Sequence, residues 1–134
     1  MSTSEKAIPV PNADSQAFWA AAAEGRLELQ RCATCGTAQF YPRPHCAECG
    51  SGAVEPFTAS GRGTVFTFTV NYRAPTPAFG ADGPYVIALV DLEEGPRMMV
   101  NILDVDPAGV RIGMAVQIVF ERRGEIFLPQ AVPA

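Results

Sequence analysis

Cys32-Ala33-Thr34-Cys35-Gly36 and Cys46-Ala47-Glu48-Cys49-Gly50 hold all four cysteines of the chain, spaced C-x2-C-x10-C-x2-C. Each C-x2-C turn aims two thiolates at one point, and two such turns enclose a tetrahedral ion. Gly36 and Gly50 follow the second cysteine of each pair. A residue without Cβ there lets backbone N–H groups turn back towards the sulfurs. The reading is a metal site ligated by Cys32, Cys35, Cys46 and Cys49. Two disulfides in a secreted protein are the competing reading, but the segment Met1-Ser2-Thr3-Ser4-Glu5-Lys6 has no hydrophobic signal core. Iron in a rubredoxin-like site would use the same ligands. Zinc is favoured, because nothing else in the chain points to electron transfer.

On the N-terminal side, residues 1–13 are polar and carry Pro9 and Pro11, which suits an extended arm. Asp14 or Ser15 is placed to cap a helix through Ala17-Phe18-Trp19-Ala20-Ala21-Ala22-Ala23-Glu24, with Gly25 as the stop. About ten residues of helix are marginal alone and must bury Phe18 and Trp19 against something. Arg26 to Arg31 alternates polar and apolar residues, a short strand running into the first knuckle. His45, the only histidine, adjoins Cys46. Four thiolates already complete a closed shell, so no ligand or catalytic role falls to it.

On the C-terminal side the pattern is β. Thr64 to Tyr72 alternates with period two and places Phe66, Phe68, Val70 and Tyr72 on one buried face. Tyr85 to Leu92 is apolar on both faces, Glu93-Glu94-Gly95-Pro96 is a turn, and Arg97 to Leu103 is a third strand. Met114 to Arg122 and Glu125 to Val132 complete five. Five strands in about seventy residues fit the Greek-key barrel called the OB-fold, with a two-sheet sandwich as the alternative. The fold class expected is mainly β: an N-terminal helix, a four-cysteine zinc ribbon, then a five-stranded OB-fold barrel. The expected division is 1–26 arm and helix, 27–57 ribbon, and 58–134 barrel.

Composition narrows the function. The net charge is −4 and basic residues are scattered, the opposite of the balance that phosphate neutralisation requires. Nucleic acid is therefore not the expected partner. No apolar run reaches the roughly 18 residues that span a bilayer, so the expectation is a cytoplasmic protein with no membrane partner. The chain has no second histidine, no cysteine outside the metal set and no Gly-x-Ser-x-Gly elbow, so no catalytic residue is assigned. A filled four-thiolate site has no open position for a reacting water. Residues 73–83 form a long connection between the first two barrel strands, where OB-folds commonly line a ligand groove. Arg73, Phe79 and Asp82 are its candidate substrate or partner contacts. Phe18, Trp19, Met98 and Met99 are apolar candidates for a partner surface.

The combination resembles the DUF35 family, whose members join a rubredoxin-like zinc ribbon to an OB-fold. The residues that carry the resemblance begin with Trp19, Gly25-Arg26-Leu27 and Leu29-Gln30-Arg31-Cys32-x-x-Cys35-Gly36. Tyr41-Pro42-Arg43, Cys46-x-x-Cys49-Gly50 and Ser60-Gly61-Arg62-Gly63-Thr64-Val65-Phe66 continue it. Pro84-Tyr85-Val86, Val90-Asp91-Leu92 and Ile112-Gly113-Met114-x-Val116 extend it through the barrel. The resemblance implies an accessory subunit in a hetero-oligomer with a thiolase-superfamily catalytic subunit, such as a thiolase-like aldolase or a thiolase. It also implies a barrel that helps receive an acyl-CoA thioester, while the partner carries the chemistry. A nucleic-acid-binding module and a stand-alone acyl-CoA-binding protein are the alternative functions.

Overall fold

The computed structural model describes residues 6–72 and 83–134. One helix, α1 (Gln16–Ala23), is followed by strands β1 (Glu28–Cys32), β2 (Ala38–Gln39) and β3 (Val54–Thr58), which form a sheet in the order β2-β1-β3. Strands β4 (Arg62–Asn71), β5 (Tyr85–Leu92), β6 (Arg97–Ile102), β7 (Ala115–Arg123) and β8 (Ile126–Pro133) close a barrel in the order β4-β5-β6-β8-β7. β7 returns to β4, and β6 meets β8 in parallel, so the barrel is the expected five-stranded Greek key. No helix among the described residues is long and apolar enough to cross a membrane.

Local chemistry accounts for the helix ends. Gly25 sits at φ 78°, while its N–H donates to the Ala22 carbonyl and that of Arg26 to Ala21, the paired bonds of a glycine stop. At the other end Ser15 takes the cap position, but its hydroxyl turns back to accept from the Asn12 N–H at 3.0 Å instead of capping the helix. Phe18 is buried, as are Ala21 and Ala22. Leu27 and Leu29 continue the same apolar cluster into the barrel interior of Val65, Val86, Val90, Met98, Val100 and Val116. The ribbon sheet and the barrel therefore share one continuous core.

Two sequence expectations change at this level. The alternation expected from Thr64 to Tyr72 breaks, because β4 pairs Val65 with Val90 and then Thr67 with Leu89, leaving Phe66 as the extra residue of a bulge. Val65 before the bulge is 1% exposed and Phe68 and Val70 after it pack against the core, as expected for those two, whereas Phe66 is 46% exposed; Tyr72, beyond the end of β4, is 78% exposed. Phe66 is covered from outside by Arg97, whose guanidinium carbon lies 3.5 Å from the ring centre and whose Nε donates to Asp91 at 2.6 Å. Of the apolar residues read as surface candidates, Phe18 and Met98 are core; Met99 points outward and is 61% exposed. Met98 and Met99 are strand neighbours, so one of them had to face inward.

The barrel seam is tight at Gly63. A Cβ added there would stand 2.7 Å from Val90 Cγ1 and 2.8 Å from the Asp91 carbonyl oxygen. The backbone oxygen cannot rotate away as a side-chain tip can. Gly63→Ala is expected to destabilise the chain by about 1–3 kcal/mol, the usual cost of overpacking. Urea unfolding checks this, and a midpoint indistinguishable from the parent would show that the β4–β5 contact yields freely.

Candidate metal centre

The first knuckle begins where β1 ends. Cys32 is the last residue of β1, and its N–H donates to the Thr37 carbonyl at 2.9 Å while its carbonyl accepts from the Gly36 N–H at 2.8 Å. The second knuckle repeats both bonds: Cys46 N–H to Ser51 carbonyl at 2.8 Å, and Gly50 N–H to Cys46 carbonyl at 2.9 Å. Gly36 and Gly50 both adopt φ 78°, the left-handed conformation that each turn needs and a Cβ disfavours. The two halves are thus the same local structure used twice. In each, the first cysteine is buried and the second exposed. Thr34 and Ser51 hydroxyls, 2.8 Å apart, join one knuckle to the other.

The four Sγ atoms all lie within 4.8 Å of one another. Cys32 and Cys49 sulfurs are 3.6 Å apart, as are those of Cys35 and Cys46. A regular tetrahedron of metal–sulfur bonds near 2.3 Å has edges of about 3.8 Å, so the sulfurs stand close to the separations an ion would impose. Backbone N–H groups support them: Cys35 N–H approaches Cys32 Sγ at 3.5 Å, and Glu48 N–H approaches Cys46 Sγ at 3.4 Å. Donors aimed at sulfur favour the thiolate. The Cys35 N–H is the main reason the Cys32 thiol is lowered to about 6. Thr37 lowers Cys35 through its hydroxyl, 3.3 Å from the sulfur. Cys49 feels the Ser51 N–H in the same direction, but Cys32, burial and the other two sulfurs outweigh it and push the thiol up to about 12. Four sulfurs this close cannot all ionise without a cation between them. The donor set and its spacing therefore fit a thiophilic metal ion.

His45 stands outside this cluster, and its carbonyl serves the fold by accepting from Gln39 Nε2 at 3.2 Å. Gln39 is a residue that sequence reasoning passed over. Its side chain is buried; Nε2 also donates to Gln30 Oε1 at 2.9 Å, and Oε1 accepts from Ala47 N–H at 2.9 Å. Gln30 Oε1 further accepts from the Arg43 N–H at 2.8 Å. Two glutamines on neighbouring strands thereby fix the segment between the knuckles and hold the second knuckle over the first. The only hint in the sequence is an amide inside an otherwise apolar Ala38-Gln39-Phe40 step. Arg73, Phe79 and Asp82, the loop candidates, lie outside the described residues.

The comparisons with known proteins converge on one family. Residues 19–55 match the family model described as the ChsH2 rubredoxin-like zinc ribbon domain, and residues 58–121 match that of the ChsH2 C-terminal OB-fold domain. A solved chain of the Ltp2-ChsH2(DUF35) aldolase superposes with a TM-score of 0.83 at 38% identity, covering 94% of this chain and 98% of that one. A DUF35 domain-containing scaffold protein of Methanothermobacter thermautotrophicus is 39% identical over 97 residues, 72% of each chain. A probable enoyl-CoA hydratase alpha subunit of Thermomonospora curvata is 39% identical over 127 residues, 94% of this chain. The chain spans only 39% of that subunit's length.

Proposed function

This chain belongs to the DUF35 family, and on that premise we propose that it is the zinc-bearing, non-catalytic subunit of a thiolase-superfamily acyl-CoA enzyme. The observation that carries the reading is the nearly full-length likeness to the DUF35 chain of an aldolase whose name joins that chain to a second one, Ltp2. The chemistry of the site agrees with a supporting role. Cys32, Cys35, Cys46 and Cys49 would hold zinc as a closed four-thiolate shell, which supplies folding energy and leaves no position for a substrate oxygen. Gln39 and Gln30 hold the two knuckles in register around it. The four cysteines are the only group of three or more potential ligands gathered in one place among the described residues. Nucleophilic or acid–base chemistry then falls to the partner chain, and an aldolase or a thiolase is the partner class favoured.

Phe66 bears on the nucleic-acid alternative. Single-stranded binders present bare aromatic rings beside unpaired cations. Here the ring lies under a guanidinium that Asp91 already engages. The acidic balance works in the same direction.

Co-expression with a thiolase-like chain tests the reading. The expected result is a complex of fixed stoichiometry with one zinc per copy of this chain, measured by size-exclusion chromatography with elemental analysis. A metal-loaded chain that stays monodisperse and ignores such partners would sink the proposal.

A further inference from the structure

The four sulfurs of the metal centre are not equivalent. Cys35 and Cys49, the second cysteine of each knuckle, are exposed, whereas Cys32 and Cys46 are buried. Both 3.6 Å sulfur contacts run between the knuckles: exposed Cys49 meets buried Cys32, and exposed Cys35 meets buried Cys46. Each sulfur open to solvent therefore has a covered one from the opposite knuckle against it.

Three bonds hold this pairing independently of any ion. The Thr34 and Ser51 hydroxyls lie 2.8 Å apart, the Ala33 N–H donates to the Ala53 carbonyl at 2.8 Å, and Gln39 Oε1 accepts from the Ala47 N–H at 2.9 Å. Knuckles tied in this way keep the same sulfurs opposed when a ligand changes its chemistry. Attack on sulfur follows thiolate character and access. Metal ligation keeps all four groups as thiolates, so access selects Cys35 and Cys49. A sulfur oxidised at the rim becomes an electrophile, and a thiolate in contact with it displaces the oxygen.

We propose that the metal centre is also an oxidation site, at which a hydroperoxide converts the four ligands into two disulfides between the knuckles, Cys32–Cys49 and Cys35–Cys46, and frees the ion. The inference rests on the zinc reading of the site and not on the identity of the partner enzyme. The Cys49 thiolate attacks one peroxide oxygen; the S–O bond forms, the O–O bond breaks, and the leaving oxyanion takes a proton from water. The Cys32 thiolate then attacks the sulfenic sulfur; the S–S bond forms, the S–O bond breaks, and hydroxide leaves as water with a second proton. Two thiolates lose two electrons and the hydroperoxide gains them. Cys35 and Cys46 repeat the sequence with a second hydroperoxide. Metal affinity requires deprotonated thiols, and disulfide sulfurs no longer supply them.

The zinc-loaded full chain is treated with hydrogen peroxide while a chromogenic chelator reads the zinc released. A protease that cuts after glutamate cleaves at Glu48, and chymotrypsin cleaves after Phe40, so Cys32 and Cys35 share one peptide while Cys46 and Cys49 fall on two others. Zinc release is expected to follow thiol loss, with the first peptide joined to both of the others and fragmentation assigning Cys32–Cys49 and Cys35–Cys46. Dithiothreitol with added zinc should restore the starting zinc content. Cys49→Ser removes one pair and should give the Cys35–Cys46 disulfide alone, leaving Cys32 open to alkylation after denaturation. Disulfides within a knuckle, or the pairs Cys32–Cys46 and Cys35–Cys49, overturn the assignment. Thiols that resist peroxide with zinc retained, or that pass irreversibly to sulfinic acids, overturn the oxidation site. Elemental analysis before treatment separates the two readings: in a chain that takes up no zinc the zinc reading fails, while the same disulfide map still decides the pairing.

Discussion

Cys32→Ser is expected to empty the metal site and unfold the ribbon, with a fall in melting temperature that reaches the barrel. The reason for choosing Cys32 is its position. It is buried, it closes β1, and β1 is the middle strand of the ribbon sheet, paired to β2 and to β3. The strand β2 is only two residues long, so apart from the Gln39 bonds, the Thr34–Ser51 hydroxyl contact and the Ala33 N–H to Ala53 carbonyl bond, a bound ion would be the main tie between the knuckles. Structural zinc contributes about 10–16 kcal/mol of apparent binding energy in zinc-finger peptides at neutral pH. That equals or exceeds the total stability of an ordinary domain, about 5–15 kcal/mol. Loss of one buried thiolate should therefore do more than any single packing defect. Cys49→Ser, at an exposed ligand, removes the same type of atom from the rim and should be the milder change. Elemental analysis and thermal melts followed by circular dichroism, with and without a chelator, make the comparison. The parent should lose stability on chelation, and Cys32→Ser should be insensitive to it. A Cys32→Ser chain that keeps its ion and melts like the parent would refute the structural role.

The degree to which these features can be read from the chain depends on how local their causes are. The cysteine site is visible because its ligands fall within 18 residues and each C-x2-C-Gly turn makes its own geometry. The helix stop at Gly25 and the turn at Gly95 are visible for the same reason, since one residue with positive φ decides each. The five barrel strands follow from their apolar patterns. Period-two reasoning fails at Phe66 because a bulge inserts one residue and exchanges the faces, and a non-glycine bulge leaves no mark in the pattern. The strands β2 and β3 exist through pairing with β1, not through a pattern of their own. Gln130 and Asn101 are 29 residues apart, yet their side chains bridge β6 and β8, which share a single parallel register pair. Such an amide reads as an ordinary solvent-facing side chain until the strands that it joins are known.

Leu29→Ala is expected to cost about 2–5 kcal/mol, the range for deleting a buried leucine. Leu29 heads the largest fully buried side chains, at 1% exposure, and lies on β1 opposite Phe57. Its significance is where it sits: it belongs to the same apolar cluster as Phe18 of the helix and Val65, Val90 and Val116 of the barrel. A cavity there is felt by both modules, because a close-packed interior relaxes only partly around a void. The expected result is therefore one unfolding transition, shifted as a whole, seen at the same denaturant concentration by Trp19 fluorescence and by backbone circular dichroism. Val65→Ala, in the barrel wall, should shift the same single transition by a smaller amount, since fewer methyl groups are removed. If the two probes separate, so that the ribbon and helix melt before the barrel, the shared core is not cooperative. Metal would then stabilise only the ribbon, and the downward shift expected of the barrel in Cys32→Ser would disappear with it. Coincident transitions in Leu29→Ala would instead mean that the ion holds the barrel through Leu27 and Leu29, which run from the helix stop towards the first metal ligand.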